Sequence, residues 1–307
     1  MDEIILHHYA ISTFSERVRL AFGLKGLSWR SVNIPPAMPK PDLLPLTGGY
    51  RRTPVMQIGA DVYCDTQLIM RKLDELHPEP SLYPDGSEGV VTALSWWADK
   101  TLFFPALGVM ADTIGEKIPP AFVAERKPFG FLLAREDVAP VIHRHLQQGA
   151  AHLTWLGKML ADGRPFLLHR PSAADLAAYC HVWLLHNQGG PEAEARLPIE
   201  PLRGWYERVT AIGHGRPVEM SAAEALDVAK SAEPRRPAIA PDGDPSGLKA
   251  GEAVVVMADD TGRDPIRGTL VAADAEELVI RSSNARVGEI NIHFPRAGFD
   301  VVADRPH

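Results

Sequence analysis

Two cysteines in 307 residues, Cys64 and Cys180, are too few and too far apart for a disulfide framework or a thiolate metal site. The histidines offer no substitute. His143 and His145 point to different faces of a helix, and His7 and His8 alternate across a strand, so no metal is expected. Basic residues are not in excess either: 32 Lys and Arg stand against 39 Asp and Glu, giving a formal charge of −7. That balance excludes a phosphate-neutralising nucleic-acid binder and a polybasic membrane-surface module. No run approaches the roughly 18 apolar residues of a membrane-spanning helix. The chain enters a strand at once instead of a leader, which places the expected protein in the cytoplasm with no membrane partner. What remains, 45% apolar and 23% charged residues, is the composition of a globular chain long enough for two or three cores.

The most informative stretch is IILHHYAISTFSERVRLAFGL, residues 4–24. Ile4, Ile5 and Leu6 form the short apolar run of a buried parallel strand. From Phe14 on, Phe14, Val18, Ala21 and Phe22 recur at helical spacing, with Glu16, Arg17, Arg19 and Lys25 on the other face. Ser12 and Thr13 lie between, so hydroxyls cap a helix whose free N–H groups and dipole favour an anion.

Residues 1–85 alternate strands and helices, as an α/β layered domain does. Strands are expected at 29–34, 55–58 and 60–64, the last two turning at Gly59, and a helix opens at Asp65-Thr66. Between them Pro35, Pro36, Pro39, Pro41 and Pro45 permit only a loop with fragments of helix. Residues 86–230 read as helices only: one long helix over 89–114, another over 138–160, a third entered through Ser172 and Asp175 at capping-box spacing, and two more over 200–212 and 222–230. Residues 231–247, rich in Pro, Gly and charge, read as a linker. From 248 to 307 the period becomes two, with apolar runs AVVVMA, TLVA, ELVIR, EINIHF and FDVV, which predicts a small five-stranded barrel of SH3-like type carrying no catalytic constellation.

Strand, hydroxyl-capped helix, Pro-led strand at Thr53-Pro54-Val55 and polar-capped helix at Asp65-Thr66 together resemble the N-terminal thioredoxin-like domain of cytosolic glutathione transferases. STFSERVRLAFGLKGL is similar to the omega, zeta and other Ser or Cys classes, and the ADL run after Ser172 resembles that family's helical domain. The resemblance implies that glutathione is the co-substrate and that Ser12 is the catalytic hydroxyl, holding its sulfur as thiolate; Thr13, Ser15 and Tyr9 are the other candidates. It further implies contacts to the peptide from Thr13, Phe14, Thr53, a cis Pro54, Asp65 and Thr66, with Lys40, Arg51 or Arg52 on the glycyl carboxylate. Ile11, Trp97 and Phe103, with Phe104 and Met110 nearby in sequence, are the candidates for a pocket taking a small electrophile. A homodimer is implied as well.

The chain departs from the resembled pattern in two places. Ser12-Thr13-Phe14-Ser15 stands where dithiol relatives have CxxC, which excludes local dithiol exchange and puts an omega-like thiol transferase reaction in doubt. Asp65-Thr66 replaces the usual Glu-Ser. The expected activity is thiolate attack on an electrophilic carbon. The alternative is a non-catalytic binding scaffold with the C-terminal β region as its partner module.

Overall fold

The computed structural model describes residues 3–240 and 243–305. Met1, Asp2, Pro306 and His307, at the outer ends of the first and last expected domains, and Pro241 and Asp242 in the expected linker, lie outside the described residues. In chain order the first elements are β1 (Ile5–His8), α1 (Thr13–Leu24), β2 (Ser28–Asn33), α2 (Leu44–Thr47), β3 (Val55–Ile58), β4 (Asp61–Cys64), α3 (Thr66–Leu76), α4 (Glu88–Thr101) and α5 (Phe103–Ile114). Further helices span Pro120–Arg126, Ile142–Met159, Ala173–Leu184 and Arg203–Thr210. Then come β5 (Arg216–Glu219), the helix Ala222–Ser231, and β6 (Ala253–Ala258), β7 (Ile266–Ala273), β8 (Glu277–Asn284), β9 (Gly288–Pro295) and β10 (Phe299–Ala303).

The chain divides into two compact units. One comprises the residues up to Ser12, Ser28–Lys72 and everything from Arg216 on; the other comprises Thr13–Leu27 and Leu73–Gly215. The expected division at 85, 230 and 247 therefore differs from the one observed, because α1 clusters with the helical unit and the C-terminal strands join the N-terminal ones.

The first unit is built on one sheet of ten strands in the order β10-β6-β7-β8-β9-β4-β3-β1-β2-β5. At its centre β1 runs parallel to β2 and antiparallel to β3, and β3 is antiparallel to β4, the thioredoxin-like arrangement implied by the sequence. The predicted five C-terminal strands are all present, but they continue this sheet instead of standing apart: β9 pairs in parallel with β4, Tyr63 opposite His293. Ile5, Val55 and Val62 share an apolar core with Val254, Ile266, Ile280, Ile292 and Phe294. The extension still curls. β9 and β10 stand four strand spacings apart in the order, about 19 Å if flat, while the link from Pro295 to Phe299 spans at most about 14 Å.

Buried polar groups fasten the extension to β4. His293, 5% exposed, bonds Asp61 through Nε2 (3.1 Å) and Glu277 through Nδ1 (2.6 Å), and its ring stacks on Tyr63. Asn291 donates to Asp61 (3.0 Å) and to the Arg235 carbonyl (2.7 Å), while the Arg235 N–H donates to Asp61 (3.1 Å). The expected linker is thus tied into the sheet at Arg235. Two further differences belong to this unit. β5 was not foreseen, since it is exposed and carries Pro217; backbone pairing with β2 makes it a strand. The helix Ala222–Ser231, expected in the helical unit, packs Ala225, Leu226 and Ala229 into the sheet core.

In the helical unit the charged face of α1 is buried: Glu16, Arg17, Arg19 and Lys25 are each less than 9% exposed. Ion pairs satisfy them, Arg17 to Asp99 (2.8 Å), Arg19 to Glu16 (2.6 Å) and Lys25 to Asp74 (2.7 Å). Buried charges persist only when paired and hydrogen-bonded. The long helix expected over 89–114 is two, α4 and α5, because Pro105 cannot donate to the carbonyl of Thr101 and its ring crowds that carbonyl. The Ser172–Asp175 capping box forms as expected. Asp175, fully buried, accepts from the N–H groups of Leu167 (2.9 Å) and Ser172 (3.0 Å), the Ser172 hydroxyl (2.7 Å) and Trp205 Nε1 (2.9 Å).

Two stability predictions follow from these networks. Asp175→Ala orphans four buried donors and is expected to lower unfolding free energy by about 4 kcal/mol or more, measured by urea titration. Burial by itself would lower the His293 pKa, but Asp61 and Glu277 outweigh it and raise the value above that of free histidine. A raised imidazolium pKa stabilises below the unfolded value, about 6.5, and the contribution is lost as pH climbs through the folded value. His293→Gln leaves the carboxylates uncompensated and should cost about 3–5 kcal/mol at acidic to neutral pH. The gap between wild type and variant narrows as pH rises; a gap constant with pH would show that His293 is neutral in the fold.

Candidate active site

The register explains how distant residues converge. His7 lies opposite Val55, and Val55 opposite Cys64. The segments that follow β1, precede β3 and follow β4 therefore leave from one end of the sheet; they carry Ser12, Thr53-Pro54 and Asp65-Thr66. His8 lies opposite Asn33 in the parallel pairing, so the loop bearing Lys40 starts from the same end.

Ser12 closes a turn through its N–H to the Tyr9 carbonyl (3.1 Å) and immediately precedes α1. It is 5% exposed, as is Thr66, the first residue of α3. Asp65 has φ 73°, a left-handed conformation uncommon outside glycine, and its Oδ1 accepts from the Gln67 N–H (2.9 Å). The Thr53–Pro54 bond is cis. Lys40, which is buried, donates to the Thr53 hydroxyl oxygen (2.8 Å) and the Arg51 carbonyl (2.8 Å), with Nζ over the Tyr9 ring. Tyr50 is buried beneath this loop on Phe294 and Phe299. Burial, and then the charge of Asp65, pushes its phenol far up, so it stays neutral.

Of the three cations proposed for a glycyl carboxylate, Arg51 and Arg52 are engaged by the C-terminal extension. Arg51 pairs with Asp264 (3.1 Å), and Arg52 with the Asp260 carboxylate and the Thr261 carbonyl. The same ligand loop is held at its other end, Arg286 to Asp42 (2.6 Å) and Asn284 to the Pro45 carbonyl (2.9 Å). At Gly48 the backbone is left-handed (φ 61°), which strains any residue with a Cβ, and that Cβ would lie 2.9 Å from the tip of the Ile292 side chain, so loop and extension meet closely there. The turn ADDTGRDP was visible in the sequence only as a connection between strands. Its carboxylates gain a role through a tertiary contact.

Among the remaining candidates, Ile11 is 56% exposed in the first unit. Thr13, Phe14, Trp97 and Phe103 belong to the second. There Phe14 packs on Phe103 and on His181, which bonds Asp99 (3.1 Å), and Trp97 stacks on Trp155. Met110 is core, and Phe104 is 38% exposed. Among the described residues no group of three His, Cys, Asp or Glu side chains is placed to hold a metal ion, and no helix is long and apolar enough to cross a membrane.

A thioredoxin-like sheet with a cis-proline loop and hydroxyl residues at two helix starts at one of its ends, in a chain that also carries an all-helical unit, defines the class of glutathione transferase-type folds. Residues 6–81 match the family model "Glutathione S-transferase, N-terminal domain" and residues 139–208 match "Glutathione S-transferase, C-terminal domain". A GST-like protein from Pseudomonas syringae is 37% identical, over 98% of this chain and 100% of its own, with TM-score 0.77. A glutathione S-transferase from Rhodospirillum rubrum F11 (22% identity, 68% and 88% covered, TM-score 0.50) shares the fold. So does the beta-etherase LigF from Sphingobium sp. strain SYK-6 (15%, 68% and 95%, 0.52). Among curated proteins none matches. The chain belongs to the glutathione S-transferase family. The Pseudomonas syringae alignment runs through the extension, since it leaves only 2% of the chain uncovered.

Neither cysteine is placed for catalysis. Both are fully buried; burial first, and then the charge of Asp65 on Cys64 and of Asp99 on Cys180, pushes each thiol well above its ordinary range. Iodoacetamide at pH 8 is expected to leave both unmodified in the native protein and to label both in denaturant, as read by intact mass; native labelling would make that cysteine a candidate for the chemistry.

Proposed function

We propose that this protein is a Ser-type glutathione transferase in which the Ser12 hydroxyl donates a hydrogen bond to the sulfur of glutathione. Free glutathione thiol has a pKa near that of cysteine, about 8.5, so most of it is unreactive at neutral pH. A donor to the anion lowers that value, and the dipole at the start of α1, next in the chain to Ser12, favours the same charge. Shielding from water strengthens such a bond, because little solvent competes with it. The observation that carries the reading is the register that brings Ser12, Thr53-Pro54 and Asp65-Thr66 to one end of the sheet.

In this reading Thr66 holds the γ-glutamyl carboxylate through its hydroxyl and the N–H groups of the first turn of α3, and Asp65 faces the amino group. The Thr53 backbone pairs with the cysteinyl part. The thiolate then attacks an electrophilic carbon of a small molecule, a conjugation, dehalogenation or isomerisation. A cytoplasmic homodimer is part of the same proposal. The burial of Ser12 favours a second reading, a scaffold that keeps the fold without the chemistry.

Turnover of an electrophile panel and the absorbance of bound thiolate separate the two. Ser12→Ala is expected to keep glutathione binding, to lose about 10²–10³ in kcat/KM, and to return the bound thiol toward its free pKa. Turnover that Ser12→Ala leaves unchanged rejects Ser12 as the activating group, and no calorimetric binding at millimolar glutathione favours the scaffold.

A further inference from the structure

The β6–β7 turn, from Asp259 to Pro265, meets the segment that leads to cis-Pro54 through Arg51 and Arg52. The three cations that could receive a glycyl carboxylate lie on the segment leading to cis-Pro54 or beside it, and all three already face acceptors within the same unit. Lys40 is 3% exposed and donates to the Thr53 hydroxyl oxygen and the Arg51 carbonyl. Arg51 faces Asp264, and Arg52 faces Asp260 and the Thr261 carbonyl. The turn is itself braced: Arg263 pairs with Asp300 of β10 (2.8 Å) and donates to the Asp259 carbonyl (3.2 Å), and the Asp259 N–H donates to the Gly298 carbonyl (3.0 Å). Two carboxylates of the chain thus sit where a ligand carboxylate would be neutralised.

We infer that Asp260 and Asp264 set the ligand specificity of the site, standing in for the glycyl carboxylate, so that the chain accepts glutathione derivatives whose glycyl end is uncharged, as an ester or amide, at least as well as glutathione itself. This deepens the proposed function and rests on it. A free acid entering beside Arg51 and Arg52 must displace one carboxylate from a guanidinium and lie close to the other. An ester or amide meets no such repulsion and leaves both ion pairs whole. Asp260 and Asp264 are about 40% exposed, so each pair is one that water and salt weaken.

Calorimetry with glutathione and with its glycyl monoethyl ester, on the full chain as wild type and as the Asp260→Asn, Asp264→Asn double variant, tests this. Wild type is expected to bind the ester at least as tightly as the acid. In the double variant the acid should tighten about fivefold, the size of one exposed ion pair, while the ester is unchanged; circular dichroism and thermal melting verify the fold of the variant. A wild type that binds the acid about tenfold better than the ester, with the preference unaltered in the variant, overturns the inference and leaves the glutathione reading standing. Failure of both proteins to bind either peptide removes that reading, and the inference with it.

Discussion

The parallel pairing of β9 with β4 is the constraint on which the first unit depends. Without it β4 would be an open edge, and edges invite pairing with other chains. Closing that edge takes Asp61, Asn291 and His293 out of water together, and each is satisfied by the others or by Arg235 and Glu277. A half-satisfied set of this kind would be worse than an apolar core, which makes the register all-or-none. Slipping β9 by one residue would send His293 and Asn291 to the opposite face.

Once β9 is fixed, the rest of the extension has little freedom, and it reaches back to the loop between β2 and β3 at both ends. Arg286 and Asn284 hold the segment at Asp42 and Pro45, Gly48 admits Ile292, and Asp264 and Asp260 hold Arg51 and Arg52. Tyr50 rests on Phe294 and Phe299. A segment with five prolines before Tyr50 lacks five backbone donors, and its own backbone bonds fall in the part from Lys40 to Tyr50. Its conformation comes from what it leans on. The residues just before cis-Pro54 are therefore positioned as much by the extension as by the thioredoxin-like core.

In the helical unit, α1 is buried on its charged face as well as its apolar one. Arg17, Asp99 and His181 form one chain of contacts there, and the charge of Arg17 and the bond from His181 hold the Asp99 carboxyl below its usual range despite its burial. Phe14 and Phe103 lie against the His181 ring. Spacing gave the helix but not its surroundings, because a charged residue is buried only with its partner, here 82 residues away, in place.

The sequence by itself determined the order of elements: β1 through α3, the capping box at Ser172 and Asp175, the five C-terminal strands, and the family. These signals are local, since caps, turns and period-two or helical spacing act within a few residues. It also named Ser12, Thr53, Asp65 and Thr66, whose types and neighbours carry the resemblance. Only the tertiary structure decided that the C-terminal strands extend the first sheet, that β5 pairs with β2, that the long helix breaks before Pro105, and that Arg51 and Arg52 face Asp264 and Asp260. Strand neighbours and ion-pair partners more than 200 residues apart are chosen by shape and by the need to satisfy buried polar groups, and neither leaves a periodic trace in the chain.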